Sequence, residues 1–558
     1  LRSKCKFLSR KDYLNYINKI QTNLIINPKK FWKFINSKRR NNFLPNCMHL
    51  NADEFNTPKD IINTFANYFS SVYENYDNIN VNYKQQTPPK VLITSLDSCS
   101  IDLFEVFEAL GSLSSNSSPG PDLIPNIFLR ECKFVISTPL HYLFNLSLSL
   151  GLFPDSWKTS FIRPIPKSSS DLSNVANYRP ISLLSLIPKI FESIVANKVL
   201  SVLNHVIIDD QHGFRRNKST ITNLLNFRNF ISDALSRGSN VDVIYTDFTK
   251  AFDKINHKIL FTKLKQIGIC GFFLSWVISF IEDRQQIVAY KDHWSIPIRV
   301  TSGVPQGSHL APILFLIFIN DIRFHNSTKL MFADDMKLFR IVDNLNDSKL
   351  LQLDLNTLHE WCINNNFTLN TKKCQIMTFS RARVISSFDY NLNGETLLRT
   401  LGAIKDLGIF FDPKLKFDSH ITNIVNRSNK ILGFIRRNCA VFDDSLALKS
   451  IYCSLVRSIC EYGSIIWSPY QSGLKQIIEK IQQKFLRFIS FKCSIIREPH
   501  SSYTPLLTFL NLETLEQRRL RLDLYFSYKL FSGNIDCPDF LSRFSFLTPI
   551  RNSRSKNT

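Results

Sequence analysis

The stretch Leu330-Met331-Phe332-Ala333-Asp334-Asp335-Met336-Lys337-Leu338-Phe339 sets two adjacent carboxylates between apolar runs too short to be helices. It reads as a β-hairpin with Asp334 and Asp335 at its tip. An Asp-Asp turn alone is common on surfaces. Far upstream, however, the β-rich run Val241 to Thr246 ends at a third carboxylate, Asp247. If the two runs pair in one sheet, three carboxylates meet at one edge. Oxygen-only ligands of this kind suit Mg²⁺, which keeps waters and accepts substrate phosphates. Two such ions roughly 3.5–4 Å apart activate an attacking hydroxyl and neutralise a leaving pyrophosphate, with no protein nucleophile.

The segments around these carboxylates alternate between α and β. Ser219 or Thr220 caps a stretch in which Leu224, Phe227, Ile231 and Leu235 recur at helical spacing, and Gly238 ends it. Helical periodicity resumes from Lys250 to Leu260 through Ala251, Ile255 and Ile259, which puts Phe252 in the first turn of a helix. Ser302-Gly-Val-Pro-Gln-Gly-Ser308 is a Gly/Pro loop before an apolar helix expected over Leu310 to Ile322, and its glycines permit close backbone approach. Arg163, Lys167 and Arg179 lie on a strand-turn segment, where a triphosphate needs cationic clamps.

Charge is unevenly spread. The chain carries +23 formally, and its first 40 residues hold 12 Lys/Arg against the single acid Asp12. Tyr13, Tyr16, Ile17, Ile20, Leu24, Phe31, Trp32 and Phe34 interleave with those cations, predicting basic amphipathic helices broken at Asn27-Pro28 that suit nucleic acid. Ser71 to Lys90 reads as a linker. From Asp418 the pattern is helical: Ile421, Ile424, Val425, Ser428, Leu432 and Ile435, then Ile451, Leu455 and Ile459, then Ile477, Ile481, Phe485 and Phe488. Another helix is expected over Leu512 to Leu530, with a disordered tail from Arg551. The longest apolar run, Ala311 to Ile319, falls short of the roughly 20 residues needed to span a bilayer, so no membrane partner is expected. Twelve cysteines without a CxxC pair argue for reduced thiols inside the cell. A chain opening on Leu is expected to be part of a longer product.

Several blocks carry a family resemblance. Asn177-Tyr-Arg-Pro-Ile-Ser-Leu183, Asp247-Phe-Thr-Lys-Ala-Phe-Asp253, Gly303-Val-Pro-Gln-Gly307-Ser and Phe332-Ala-Asp-Asp335 occur in the order seen in reverse transcriptases. Ser118-Pro-Gly-Pro-Asp122, Gln211-His-Gly-Phe214-Arg215 and Leu407-Gly-Ile-Phe-Phe-Asp412 narrow the resemblance to polymerases of non-LTR (LINE-type) retrotransposons, most similar to jockey-like mobile elements.

The resemblance implies an α+β right-hand polymerase: fingers, a palm with an antiparallel sheet, and a helical thumb. Its expected division is a basic helical segment at 1–45, a variable helix and linker at 46–91, fingers and palm at 92–415, thumb at 416–500, and a helical extension with the tail at 501–558. It implies RNA-directed DNA synthesis with two Mg²⁺ ions (Mn²⁺ substituting), an RNA template, a DNA primer or target, deoxynucleoside triphosphates, and the element's own RNA as partner. By matching positions, Asp247, Asp334 and Asp335 are the metal carboxylates. Lys167 and Arg179 match the triphosphate clamps, Gln306 and Gly307 the nucleotide and template loop, Phe252 the residue excluding a 2′-hydroxyl, and Lys373 the lysine that protonates pyrophosphate. Cytoplasmic ribonucleoprotein and nuclear integration follow as the expected locations. No endonuclease or zinc knuckle is recognised, so this chain is expected to extend a primer but not to nick its target. His212, His309 and Ala311 depart from the family's usual residues, which leaves a catalytically decayed nucleic-acid-binding relic as the alternative. An RNA-dependent RNA polymerase is a third reading, and Phe252 discriminates against it.

Overall fold

The computed structural model describes residues 1–38, 44–74, 95–114, 119–167, 171–290, 292–382, 388–495, 498 and 501–545. The expected linker beyond residue 74, Ser118 and the tail from Arg551 lie outside them. The architecture is α+β. Its centre is a five-stranded sheet in the order Leu398–Arg399, Gln375–Phe379, Val241–Thr246, Asp335–Ile341, Thr328–Phe332. Val241–Thr246 is almost wholly buried and pairs antiparallel on both sides, with Asp335–Ile341 and Gln375–Phe379. Its β-branched and aromatic residues fit such a doubly covered strand. A second sheet joins Tyr178–Leu183, Thr159–Pro166, Gln285–Tyr290 and His293–Trp294 in that order.

The helix Thr220–Ser236 backs the first sheet. Ser219 and Thr222 form a reciprocal cap at its start, and Gly238 follows its end at φ +84°. Phe227, from its buried face, meets Tyr245, Phe339, Phe379 and Phe411 edge-on. Three expected boundaries shift. Lys250 adopts φ +50°, so the chain turns through Asp253 and the helix is His257–Gln266, capped by Asn256. Ala251, Ile255 and Ile259 keep their spacing because turn and helix feed one core. Phe252 therefore sits in a turn rather than in a helix. The helix expected over Leu310 to Ile322 is Ala311–Phe318, and the one expected over Leu512 to Leu530 is Leu515–Phe531, capped by Thr514.

Helices Asp418–Asn438 and Ser472–Lys492 pack together in a second core, along with Leu515–Phe531. In the latter helix Ile478, rather than the expected Ile477, is buried. The N-terminal helices Arg2–Ile26 and Pro28–Ser37 break at Asn27 and dock on this body through Ile17, Ile20, Phe31, Phe34 and Ile35. Gln21 Nε2 donates to Asp443 Oδ1 at 2.8 Å. Residues 1–16, Tyr13 and Tyr16 among them, stand exposed beyond that contact. No helix among the described residues is long and apolar enough to cross a membrane.

Candidate active site

The hairpin fixes the acidic pair. Phe332 pairs with Asp335, leaving Ala333 and Asp334 as a two-residue turn, with Ala333 at φ +55°. That conformation is uncommon for alanine and is braced from below. Gln211 Oε1 accepts from Ala333 N at 2.9 Å and from Gly213 N at 2.7 Å, and Gln211 Nε2 donates to Ala333 O at 3.2 Å. A Cβ on Gly213 would lie 2.2 Å from Ala333 N, so only glycine fits beneath the turn. Thr246 pairs with Met336, and one further step in this register sets Asp247 opposite Asp335. The three carboxylates share one sheet edge.

Burial and neighbouring charge raise the carboxyls of Asp334 and Asp335. Desolvation, then the neighbouring charges of Asp334, Asp406 and Asp247, push the Asp335 carboxyl up to about 6. Asp334 is raised by desolvation and then by Asp247. Lys373 Nζ donates to Asp247 Oδ2 at 3.0 Å while remaining 66% exposed. Its segment is held there because Asn370 N donates to Asp247 O at 2.8 Å and Thr249 N to Thr368 O at 2.9 Å.

These residues open onto a cleft of about 550 Å³. Asp247, Phe252, Gln306, Gly307, Asp334, Lys167, Arg179 and Lys373 all line it. Asp335 instead lines a second chamber of about 430 Å³, which Asp247 and Lys373 share with the first. Lys167 Nζ donates to Ala176 O at 2.9 Å, and Arg179 is exposed on the neighbouring strand. Burial, then the cations Arg179 and Lys373, lower the Lys167 ammonium. Cations that repel one another across a cleft make a site for an anion. Arg163 lies on the strand Thr159–Pro166 that leads to Lys167 but does not line the cleft.

The glycine loop forms the floor. Gly307 has φ +114°, and a Cβ there would come within 2.7 Å of Ser182 O. Ser182 N donates to Gln306 O at 2.9 Å, so the loop is tied to the strand that carries Arg179. Gln306 Nε2 donates to Asp253 Oδ1 at 2.7 Å. Asp253 is buried, and burial pushes its carboxyl up to about 6 against the lowering effect of that hydrogen bond. Phe252 stacks on Phe315 at 4.4 Å between centroids and meets Phe214 edge-on at 6.2 Å, while its free side faces the cleft.

Sequence reasoning singled out neither Asp253 nor the brace Gln211, although both stand in the quoted blocks. Tyr68, in the helix Pro58–Ser70, and Tyr73, just after it, also line the cleft, from a segment read as variable. The departures are accommodated. His212 is buried and shares a 2.7 Å hydrogen bond with Thr222 Oγ1, its ring pushed down to about 3 by burial, and so neutral. His309 is exposed, its N–H donating to Glu192 Oε2 at 3.2 Å, and Ala311 is buried at a helix start.

Among the described residues no group of three acidic, His or Cys side chains encloses an ion. An all-protein cage is not what this donor set implies. Mg²⁺ binds through one or two carboxylates plus water and phosphate, and three carboxylates at one open sheet edge fit that mode.

Residues 165–435 match the family described as reverse transcriptase (RNA-dependent DNA polymerase). The chain is 27% identical, over 89% of its length, to the probable RNA-directed DNA polymerase from transposon BS of Drosophila melanogaster. It is 31% identical, over 71% of its length, to the RNA-directed DNA polymerase from mobile element jockey of the same species. These alignments cover 56% and 44% of the two relatives, so the chain spans about half the length of the curated relatives it matches.

Proposed function

We propose that this chain, whose residues 165–435 are a reverse transcriptase domain of the non-LTR retrotransposon kind, is an RNA-directed DNA polymerase extending a DNA 3′-hydroxyl on an RNA template. The observation that carries the reading is the meeting of Asp247 and Asp334 with Lys167, Arg179 and Lys373 around one cleft, with Asp335 at the same sheet edge. The second sheet and the helices around residues 95–210 act as fingers, the five-stranded sheet as palm, and the helices beyond residue 415 as thumb.

Asp247, Asp334 and Asp335 would hold divalent cations, Mg²⁺ first. Such ions, when bound, lower the pKa of the attacking hydroxyl and neutralise the leaving pyrophosphate. The chain's own groups do the rest. Lys167 and Arg179 bind the triphosphate of an incoming nucleotide, and Arg179 presents a planar fork that suits phosphate. Lys373 carries a proton beside Asp247, where it can be delivered to the leaving group. Phe252 lies under the sugar, with its ring fixed by Phe315. Gln306, oriented by Asp253, and Gly307 set the backbone against which the nucleotide and its template partner rest. The second chamber, at Asp335, receives the primer end. The exposed basic helix of residues 1–16 and the cations Arg436, Lys484 and Arg487 between two thumb helices track phosphate backbone. The element's own RNA is the natural template, bound in the cytoplasm and carried to the nucleus.

The test is extension of a labelled DNA primer on an RNA template with Mg²⁺ and deoxynucleotides. Template-directed addition is expected. Addition of ribonucleotides only, or of nothing with either Mg²⁺ or Mn²⁺, would overturn the reading.

A further inference from the structure

Lys337 and Asp406 form an ion pair that is almost fully enclosed, with side chains only 4% and 8% exposed. Lys337 follows Asp335 by two residues on one strand, so both project from the same face of the sheet. Its ammonium lies over the Phe227 ring, 4.2 Å from the centroid. Asp406 ends the strand Ile404–Asp406, which pairs antiparallel with Ile409–Phe411 as a small separate hairpin. That hairpin shares no ladder with the five-stranded sheet. Ile404, Ile409 and Phe411 reach the core beside Phe227 and Phe339, but apolar contacts of this kind are non-directional. The Lys337–Asp406 bond supplies direction.

The pair also stands in the wall of a particular space. Asp247, Asp335, Lys337, Lys373, Asp406 and Leu407 line the chamber of about 430 Å³ on the far side of the carboxylate edge from the nucleotide cleft. The small hairpin is its opposite wall. A buried ion pair is a poor device for stability, because an apolar pair of the same volume does as well or better. What it can do is fix one geometry among several that a greasy contact would allow.

We propose that Lys337 and Asp406 are positioning residues, locking the 404–411 hairpin at one distance from Asp335 and so placing the primer's terminal 3′-hydroxyl against the carboxylates. This rests on the polymerase reading above.

The test compares Lys337→Met, Asp406→Leu, the double variant and Asp406→Glu in thermal melts, primer-template binding and primer extension. Each single apolar variant strands a buried charge and should lower Tm, and the double should return it to the wild-type value. With its Tm restored, the double should still lose about tenfold to a hundredfold in kcat, since a misplacement of about 1 Å costs that much. Its KM for deoxynucleotide and its Kd for primer-template should stay within about twofold of wild type. Asp406→Glu keeps the charge but lengthens the tie, and should lose at least about threefold in kcat at unchanged Tm. A wild-type kcat in the double variant or in Asp406→Glu overturns the proposal while leaving the polymerase reading intact. A wild-type protein that extends no primer overturns both.

Discussion

On the proposed polymerase reading, sugar choice follows from where Phe252 sits. The ring stacks on Phe315 at 18° and meets Phe214 at 83°, so two aromatic partners hold it while its open side faces the cleft between Asp247 and Gln306. A nucleotide whose phosphates lie at Lys167 and Arg179 and whose reacting end lies at Asp247 sets its sugar over that ring. A 2′-hydroxyl pressed there finds no hydrogen-bond partner, which costs roughly 1–3 kcal/mol before any clash. At about 1.4 kcal/mol per factor of ten, that is roughly 5-fold to 150-fold discrimination. Phe252→Val should therefore raise kcat/KM for a ribonucleotide, relative to its deoxy counterpart, by about tenfold or more. Half-buried, the ring contributes less to stability than a core phenylalanine, whose removal costs about 3–5 kcal/mol, so the variant should fold. The assay is single-nucleotide addition with matched ribo- and deoxynucleotides on one RNA template. An unchanged ratio in a folded variant would refute the reasoning and leave Phe252 as packing for Phe315 alone.

Removing residues 1–16, which carry five cations and one acid beyond the docked part of their helix, should flatten the salt dependence of RNA binding. Two lost phosphate contacts would lower the slope of log K against log salt by about 1.4, and an unchanged slope would mean that this arm does not touch RNA. Asp253 is held at about 6 in the fold against 3.8 unfolded, so the folded state favours its proton. Its penalty is absent below the unfolded value, grows through pH 4 to 6 and reaches about 3 kcal/mol above that. Asp253→Asn should accordingly be more stable than wild type at pH 7.5 but not at pH 4, as read from urea midpoints without metal; equal gains at both would contradict the burial argument. Gln211→Ala strips two hydrogen bonds from the Ala333 turn and a third from Gly213 beneath it, and should lower kcat by at least about tenfold, with RNA affinity retained. Rate constants from single-turnover extension check this, and a wild-type kcat would show that the turn holds without the brace.

What the sequence made legible was local. Ser219 and Gly238 bound their helix because caps act within a turn, and the alternation around Asp334 and the run ending at Asp247 are strand patterns visible in a few residues. The helix start after Asp247 was misplaced because apolar spacing does not distinguish a helical turn from successive tight turns feeding the same core; Lys250 at φ +50° leaves no trace in periodicity. The supports of the site were illegible for a different reason. Gln211 reaches a backbone 122 residues away, Gln306 reaches Asp253 across 53, and Lys337 meets Asp406 across 69. Such bonds depend on how the sheets and loops stack and carry no sequence period. Tyr68 and Tyr73 escaped notice because polar, Asn-rich surroundings resemble a linker, yet Phe65 and Phe69 beside them seal a core against Tyr178 and Ile162.

The central claim is that the three carboxylates at the sheet edge act on the reaction and not on nucleic-acid binding. It is tested most directly by measuring primer extension and primer-template affinity side by side for wild type and Asp334→Asn. The account predicts that the wild type adds deoxynucleotides with Mg²⁺, and that Asp334→Asn loses at least about a thousandfold in rate while its Kd stays within about twofold. A variant that turns over at the wild-type rate, or that loses binding and rate in equal measure, would contradict it.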